Sequence, residues 1–245
     1  MIVNAKRYVA HFDMLGFKSA TCRNPDEAWG ALSDLRKCMD QMLNKHIEII
    51  STNTRIKDRI LSYIFSDSIL IFTLSETPED FASILVLTSD LFSCSLKNCI
   101  PLRGGISFGD FFFNDKLHLF CGIPFVRAYE LSEMAQWSGI VVDDIVYANY
   151  GSLDSASINS LKSDGSPPII KWDVSLKGNG KKSCWVVNWP YIYRKSFKKT
   201  PPISIADYYE AFESLFGPYS DLAIDVKTKY ENTVEFINSS LSGRV

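Results

Sequence analysis

The order of the apolar segments constrains the fold of this chain more than any other feature. Four segments carry the aromatic and β-branched residues of strands, and two carry apolar residues at helical spacing. The strand-like segments are residues 6–13, 60–65, 68–74 and 101–108, and the helix-like segments are about 24–48 and 77–96. The order strand, helix, strand, strand, helix, strand predicts an α+β protein with a ferredoxin-like βαββαβ core, in which helices cover one face of the sheet.

The rest of the chain adds elements to this core. After residue 108 we predict an aromatic arm at 110–120, a helix at 123–136 and a short strand at 140–142. Composition then changes, because 151–168 is rich in Ser, Asp and Gly and is typical of a loop. Two strands and two helices follow, at 169–174, 183–189, 203–215 and 220–240. We therefore predict a core over residues 1–150 and a C-terminal extension over 151–245 that packs on it.

Composition excludes several classes of protein. The 245 residues include 26 Lys and Arg and 28 Asp and Glu, a net charge of −2, which argues against nucleic acid as a partner. The six cysteines form no C-x-x-C pair, which argues against structural zinc. Single thiols are typical of a reducing compartment. No apolar stretch is long enough to span a membrane. We expect a cytoplasmic protein with no membrane partner.

Two aspartates end strands that this fold makes neighbours. Asp13 ends the first strand, and Asp67 lies at the tip of the 60–74 hairpin. Neighbouring strands are about 4.8 Å apart, so the two carboxylates are expected to lie close together. Two such carboxylates repel each other unless a cation lies between them, and divalent ions suit the gap. Each aspartate taken alone fits an ordinary turn residue, and only together with the segments around them do the two indicate a metal site.

The segments around these aspartates resemble the class III nucleotidyl cyclases. The resemblance covers about residues 6–145, with its motifs in the family's order. The motifs are Phe12-Asp13-Met14-Leu15-Gly16-Phe17, Ser66-Asp67-Ser68, Arg103 to Gly109, Gly122 to Glu130, and Gly139 to Val142. This resemblance implies that residues 1–150 are a cyclase catalytic core.

The resemblance also implies roles for individual residues. Asp13 and Asp67 would be catalytic and would bind two Mn²⁺ or Mg²⁺ ions, with the backbone carbonyl of Met14 as a further ligand. The amides of Leu15, Gly16 and Phe17 would hold the triphosphate, as amides at a glycine turn before a helix can, and Phe12 belongs to the same nucleotide-binding segment. The resemblance implies a homodimer with its active sites at the subunit interface.

Departures from the family pattern concern the nucleobase and the transition state. Tyr63 replaces the lysine that helps purine cyclases to select adenine, and Ile123 replaces an expected aspartate. Val126 and Glu130 replace the expected asparagine and arginine. The compact, stand-alone form and the strand Arg103-Gly104-Gly105-Ile106-Ser107 resemble the pyrimidine cyclases of bacterial anti-phage signalling, the Pycsar uridylate and cytidylate cyclases.

Three residues are candidates to fill the roles left open. The ring of Tyr63 fills the space of a second purine ring, and its hydroxyl can donate to or accept from a pyrimidine. Arg103 is only a donor, so it suits a carbonyl-rich base or the triphosphate. Arg127 or Arg103 is the candidate for the missing transition-state charge. These assignments favour uracil.

The resulting hypothesis is a cyclase that converts UTP to cUMP and pyrophosphate, a messenger for a separate effector protein in anti-phage defence. Alternatives are a cytidylate cyclase that makes cCMP, an inactive cyclase-like nucleotide-binding module, and a purine cyclase with unusual base contacts. The G-x-S-x-G at 105–109 indicates a serine hydrolase only if a sharp elbow and a helix follow. Because the next residues are extended and only His118 lies downstream as a base, we reject that reading.

Overall fold

The computed structural model describes residues 3–49, 52–151, 153, 161, 165–178, 180–198 and 200–243. Its strands are β1 (Val3–Met14), β2 (His46–Ile49), β3 (Thr52–Arg55), β4 (Ile60–Phe65), β5 (Ser68–Thr73), β6 (Leu102–Asn114), β7 (Leu119–Gly122), β8 (Ile140–Val142), β9 (Ile169–Ser175) and β10 (Lys181–Val187). Its helices of the core are α1 (Phe17–Arg23), α2 (Pro25–Leu43), α3 (Pro78–Lys97), α4 (Ile123–Met134) and α5 (Asp144–Gly151). Those described further along are α6 (Pro190–Phe197), α7 (Ile205–Tyr209), α8 (Glu213–Phe216) and α9 (Ile224–Leu241).

An eight-stranded sheet organises the described residues. Its strands follow the order β4-β5-β1-β6-β8-β10-β9, and β7 pairs with the far end of β6. The first four are antiparallel, with β1 between β5 and β6. This arrangement confirms the predicted α+β fold with a ferredoxin-like core. β8 lies parallel to β6, and β10 pairs with β8, so the strand pair of the C-terminal extension lengthens the same sheet.

Alternate residues of β1 divide the sheet into two faces. Ala10, Phe12 and Met14 belong to the main core, which also contains the buried residues of α2 and α3. Val9 belongs to a second apolar cluster on the opposite face, and His11 and Asp13 follow it at two-residue intervals. We call the face of Val9, His11 and Asp13 the open face.

The helix α4 packs on the open face at a glycine. Gly105 lies opposite His11 in the β1–β6 register, and a Cβ atom there would lie 2.3 Å from the carbonyl oxygen of Ala128. Only glycine permits this approach. The C-terminal end of α4 is thereby brought over the start of β6, near Asp13.

Several local predictions were wrong. The helix predicted at 24–48 is α2, which ends at Leu43, where Asn44 donates its side-chain amide to the carbonyl oxygen of Asp40 at 2.8 Å. The hairpin β2–β3 follows instead, and the short helix α5 was not predicted. The helix expected at 203–215 is divided into α7 and α8. Most of the loop predicted at 151–168 lies outside the described residues.

The cysteines are not all single thiols as expected. Cys38 of α2 and Cys94 of α3 form a disulfide bond with an S–S distance of 2.02 Å. Cys184 is buried, and Cys22 and Cys121 are exposed. In the described part of the chain, no helix combines the length and the apolar character needed to cross a membrane.

Candidate functional site

The site is built at the end of β1, where Asp13 and Asp67 come together. Asp13 lies opposite Ser68 in the β1–β5 register. The next amide, of Met14, donates to the carbonyl oxygen of Asp67 at 2.8 Å. Ser66 has φ +53°, a left-handed conformation that closes the tight β4–β5 turn. The backbone therefore holds the two aspartates side by side at one end of the sheet.

Charge and burial act on Asp13 from several sides. Its side chain is 26% exposed. Burial raises the pKa of Asp13, the nearby Arg103 lowers it, and the charges of Glu133 and Asp67 raise it again; the net pKa is raised. Asp67 makes the smallest of these contributions, in the direction expected of a neighbouring negative charge.

The turn at Gly16 leads from β1 into α1. Gly16 has φ +74° and precedes the first residue of α1, a backbone conformation that glycine adopts without strain. Within the described residues, no hydrogen bond is made by the amides of Gly16 and Phe17, which therefore form an open donor pair. The amide of Leu15 was predicted to join them. It is not free, because it donates to the carbonyl oxygen of Pro101 at 2.9 Å.

Phe12 does not belong to this site. Its side chain is fully buried and lies on the core face, opposite to Asp13. A Cβ atom at Gly104 would lie 2.4 Å from its ring, so Phe12 is packed tightly against β6. The prediction of a nucleotide contact by Phe12 is therefore corrected: neighbouring residues of a strand point to opposite faces, and Asp13 occupies the open one.

Arg103 is bound within the protein and does not face solvent. It is 3% exposed and lies opposite Asp13 in the β1–β6 register. Its Nη2 donates to Asp13 Oδ2 at 2.9 Å and also to Glu133 Oε1. Its Nη1 donates to the carbonyl oxygen of Ala135 at 3.2 Å. A direct contact of Arg103 with a nucleotide remains a prediction, and it would require a change of these partners.

Tyr63 lies on the open face, like Asp13. It pairs with Leu70 on β5, and Leu70 pairs with His11 on β1. Its hydroxyl donates to Asp115 Oδ1 at 2.6 Å. Burial raises the pKa of Tyr63, and the hydrogen bond to Asp115 raises it further, so this hydroxyl stays protonated near neutral pH.

Arg127 lies away from Asp13 in the same chain. Its side chain is 51% exposed and has a nitrogen 3.9 Å from Asp143. Asp143 also accepts a hydrogen bond of 2.7 Å from Ser107, four residues along β6 from Arg103, or about 13 Å at the usual strand rise. One chain alone does not bring Arg127 to the two aspartates.

A cleft beside Asp67 contains functional candidates that the sequence did not indicate. It has a volume of about 540 Å³ and lies between α1, α2 and the β4–β5 turn. Lys18 and Trp29 line it together with Phe17, Ser66 and Asp67, and Trp29 is 69% exposed. One sequence signal could have found Lys18, because it is a cation that lies two residues after Gly16. No local pattern distinguishes Trp29 from the rest of the exposed surface of α2.

The donors at this site suit a hard divalent cation. Two carboxylates and the carbonyl of Met14 offer oxygen ligands, which Mg²⁺ and Mn²⁺ prefer. Within the described residues, Arg103 engages only Oδ2 of Asp13 and no donor reaches Oδ1. No group of three or more His, Cys, Asp or Glu able to hold a metal occurs in the described part of the chain. Water and phosphate oxygens would complete the coordination of an ion held here.

The G-x-S-x-G segment forms no nucleophile elbow. Ser107 is fully buried within β6, which continues as a strand to Asn114. Its hydroxyl donates to Asp143 rather than to a histidine. The geometry of a serine hydrolase is therefore absent at Ser107.

Comparison with known proteins gives a match in structure only. No protein-family model matches the sequence, and no curated protein matches it. Among solved structures, the catalytic core of a rhodopsin-guanylyl cyclase with converted specificity, in complex with ATPαS, matches with a TM-score of 0.53 and 16% identity, over 76% of this chain and 97% of that chain. An adenylate/guanylate cyclase/hydrolase from Silicibacter pomeroyi has a TM-score of 0.49 and 15% identity, over 76% of this chain and 98% of that chain. The chain thus has the fold of a class III cyclase catalytic domain.

Proposed function

We propose that this protein is a metal-dependent nucleotidyl cyclase that converts a pyrimidine nucleoside triphosphate, UTP in preference to CTP, to its 3′,5′-cyclic monophosphate and pyrophosphate. One observation carries the proposal. On a cyclase fold, Asp13 and Asp67 lie side by side next to an open glycine turn. A domain that only bound a partner would have no need of this pair, because Arg103 already offsets the charge of Asp13 and a second carboxylate at Asp67 adds a repulsion that a divalent cation would remove.

The triphosphate would bind at the Gly16 turn. The amides of Gly16 and Phe17 have no partner among the described residues and can donate to phosphate oxygens. Lys18 follows them and lines the same cleft as Asp67, so it adds a positive charge to this subsite. The chain thereby binds and orients the α-phosphorus for in-line attack by the ribose 3′-hydroxyl, and this orientation is the main catalytic requirement of phosphoryl transfer.

Asp13, Asp67 and the carbonyl of Met14 would hold Mn²⁺ or Mg²⁺, two ions per site. When bound, such ions lower the pKa of the attacking hydroxyl and offset the charge of the leaving pyrophosphate. The support in this chain is the set of oxygen donors described above, including the free Oδ1 of Asp13.

Tyr63 would select the base. It lies on the open face with Asp13, and its protonated hydroxyl is oriented by Asp115. An aromatic ring in place of the family's lysine leaves less room for a purine than for a pyrimidine. The preference for uracil rests on Arg103, which is only a donor and suits the carbonyl-rich base, and which would have to leave its present partners to reach it.

A head-to-tail homodimer would complete the site. Apolar residues of α4 and of the β6–β7 hairpin lie exposed, although large apolar patches are uncommon on monomers. They are Phe112, Leu117, Leu119, Ile123, Val126 and Tyr129. We call this set the arm surface. Pairing through it would bring Arg127 of a second protomer toward the site as the cation that offsets transition-state charge, a role that Arg127 cannot fill within its own chain.

The cyclic product would act as a second messenger in anti-phage defence and would activate a separate effector protein in the cytoplasm. The resemblance of the compact chain and of its Arg103-Gly104-Gly105-Ile106-Ser107 strand to the Pycsar pyrimidine cyclases supports this part of the proposal. This part of the proposal does not depend on Phe12, which faces the core, or on the Leu15 amide, which donates to Pro101.

The test is to incubate the purified full chain with each of the four ribonucleoside triphosphates and Mn²⁺, and to identify products by mass spectrometry. We expect a 3′,5′-cyclic pyrimidine nucleotide, with UTP turned over faster than CTP, and its loss in Asp13→Ala and Asp67→Ala. Cyclic AMP or cyclic GMP as the sole product would refute the assignment of Tyr63 to base selection.

A nucleotide-binding module without turnover is the second candidate. Two observations favour it: Arg103 already pairs with Asp13, and Val126 and Glu130 stand where the family has its asparagine and arginine. Binding of a nucleoside triphosphate with no product from any of the four would support this candidate and exclude the cyclase.

A further inference from the structure

Four side chains of alternating charge connect Asp13 to the C-terminal extension. Arg103 donates to Asp13 at 2.9 Å and also to Glu133. Lys177, which follows β9, donates to the other oxygen of Glu133 at 2.7 Å. The side-chain exposure rises along the series, from 4% at Arg103 to 35% at Glu133 and 45% at Lys177. We call Asp13, Arg103, Glu133 and Lys177 the charge chain.

Backbone hydrogen bonds fix the charge chain at its outer end. The amide of Lys177 donates to the carbonyl oxygen of Met134 at 2.9 Å, and the amide of Gln136 donates to that of Ser175 at 2.8 Å. Through these two hydrogen bonds the extension is bound to the end of α4, beside Glu133. The backbones on both sides of the Glu133–Lys177 contact are therefore held together, and the two side chains that meet there are 35% and 45% exposed.

The helix α9 holds the same connection from its other side. Asn232 donates to the carbonyl oxygen of Gln136 at 2.6 Å. The buried amide of Ser138 donates to Thr233 Oγ1 at 2.8 Å. The segment from Glu133 to Ser138 is therefore bound by the extension on one side and by Arg103 on the other.

Arg103 is shared between two carboxylates at its inner end. One nitrogen, Nη2, serves both Asp13 and Glu133, so a stronger bond to one carboxylate weakens the bond to the other. A cation at Asp13 must compete with Arg103 for the same carboxylate. Glu133 reduces that competition because its carboxylate also binds Arg103. Lys177 binds the same carboxylate and so weakens the attraction of Glu133 for Arg103.

We propose that Glu133 and Lys177 are positioning residues, which set how strongly Arg103 holds Asp13 and thereby connect the C-terminal extension to the affinity of Asp13 for a divalent cation. The inference rests on the proposed function, because it takes Asp13 as a metal ligand. It assigns to the extension a role in the active site that lies outside the cyclase core.

The direction of each effect follows from the order of the charges. With Glu133→Gln, Arg103 pairs with Asp13 alone, so Mn²⁺ binding weakens by about threefold to tenfold. With Lys177→Met, Glu133 is free to bind Arg103 more strongly, so Asp13 is released and Mn²⁺ binding tightens by a similar factor. The side chain of Lys177 is 45% exposed, so its replacement should leave the fold intact. The Lys177→Met variant therefore tests the proposal even if the Glu133→Gln variant folds poorly.

The experiment is a titration of the full chain with Mn²⁺ alone, in which electron paramagnetic resonance measures the free ion. The matched controls are Glu235→Gln and Lys181→Met. They form a second Lys–Glu pair between β10 and α9, at 3.1 Å, without a contact to Arg103. We expect both controls to bind Mn²⁺ like the natural chain.

A double variant separates the charge chain from a general electrostatic effect. If Lys177 acts through Glu133, Lys177→Met changes Mn²⁺ affinity in the natural chain and has no effect in the Glu133→Gln background. Additive effects, or equal effects in the controls, would overturn the inference.

Failure of the inference and failure of the proposed function give different results. Mn²⁺ binding that is lost in Asp13→Ala but unchanged in Glu133→Gln and Lys177→Met refutes the charge chain alone. No Mn²⁺ binding by the natural chain, or binding that Asp13→Ala leaves unchanged, refutes Asp13 as a metal ligand, and with it both proposals.

Discussion

At the scale of single residues, Gly16 carries the strictest requirement. Its φ of +74° is a left-handed conformation, and a Cβ atom there would lie 3.1 Å from the ring of Phe216 in α8. Both the backbone and the space around it therefore favour glycine. The amides that we assign to the triphosphate follow directly from this turn.

We predict that Gly16→Ala lowers the free energy of unfolding by about 1–2 kcal/mol, the usual cost of the left-handed conformation for a residue with a side chain. It should also weaken binding of a nucleoside triphosphate, because the turn that presents the amides is strained. Urea unfolding and equilibrium binding measure the two effects.

Gly30→Ala is the matched control for this substitution. Gly30 lies within α2, and a Cβ atom there meets nothing within 4 Å. Alanine is the better helix former, so this change should stabilise the protein by about 0.5–1 kcal/mol and leave nucleotide binding unchanged. Equal destabilisation by the two substitutions would contradict our account of Gly16.

At the scale of elements, α9 stabilises the connection that carries Glu133. Phe236 of α9 packs on Trp137 with ring centroids 4.9 Å apart, and Thr233 accepts the buried amide of Ser138. A buried amide that loses its acceptor costs more than the hydrogen bond itself contributes. The packing of α9 on this connection therefore depends on Thr233.

We predict that Thr233→Val lowers the free energy of unfolding by about 1–3 kcal/mol, because the Ser138 amide stays buried without an acceptor. Thr228→Val is the control: Thr228 bonds only to the carbonyl oxygen of Ile224, one turn earlier in α9. It should cost much less. A urea midpoint that falls equally in both variants would show that the contact with Ser138 contributes nothing.

At the scale of the whole molecule, the arm surface and the buried tyrosines determine behaviour in solution. Val126 of the arm surface is 53% exposed. We predict that Val126→Asp converts a dimer to a monomer, because a charge within an apolar interface loses its hydration. Light scattering during gel filtration measures the mass.

Ile224→Asp is the control for the arm surface. Ile224 is 83% exposed at the start of α9 and does not belong to the arm surface. Its replacement should leave the dimer intact. A natural chain that is monomeric at all concentrations, or a dimer that survives Val126→Asp, would contradict the proposed interface.

Buried tyrosines predict a loss of stability in alkaline solution. Burial raises the pKa of Tyr8, Tyr193 and Tyr209 from 10.0 to about 12. The folded chain thus holds these protons more tightly than the unfolded chain. Their contribution to stability is complete below pH 10 and is lost as the pH rises from about 10 to about 12.

Urea unfolding at a series of alkaline pH values tests this expectation. In Tyr193→Phe one titrating group is removed, so the free energy of unfolding should fall less steeply with pH, by up to about 1.4 kcal/mol per pH unit. An unchanged slope would show that Tyr193 ionises equally in both states.

Local sequence patterns were enough to predict the order of strands and helices in the core, and with it the approach of Asp13 to Asp67. Both follow from local patterns, because apolar spacing selects each element and the β4–β5 turn sets the register of its neighbours. The same alternation already implied that Phe12 points away from Asp13, although we expected Phe12 to bind the nucleotide.

Long-range packing was needed to reveal the partners of Arg103, the cleft at Lys18 and Trp29, the Cys38–Cys94 bond and the place of the extension in the sheet. Glu133 lies 30 residues from Arg103, and Lys177 lies 44 residues from Glu133. No local pattern specifies such contacts, because they arise when packed elements bring distant side chains together, and charged groups then take the nearest partner that offsets their burial.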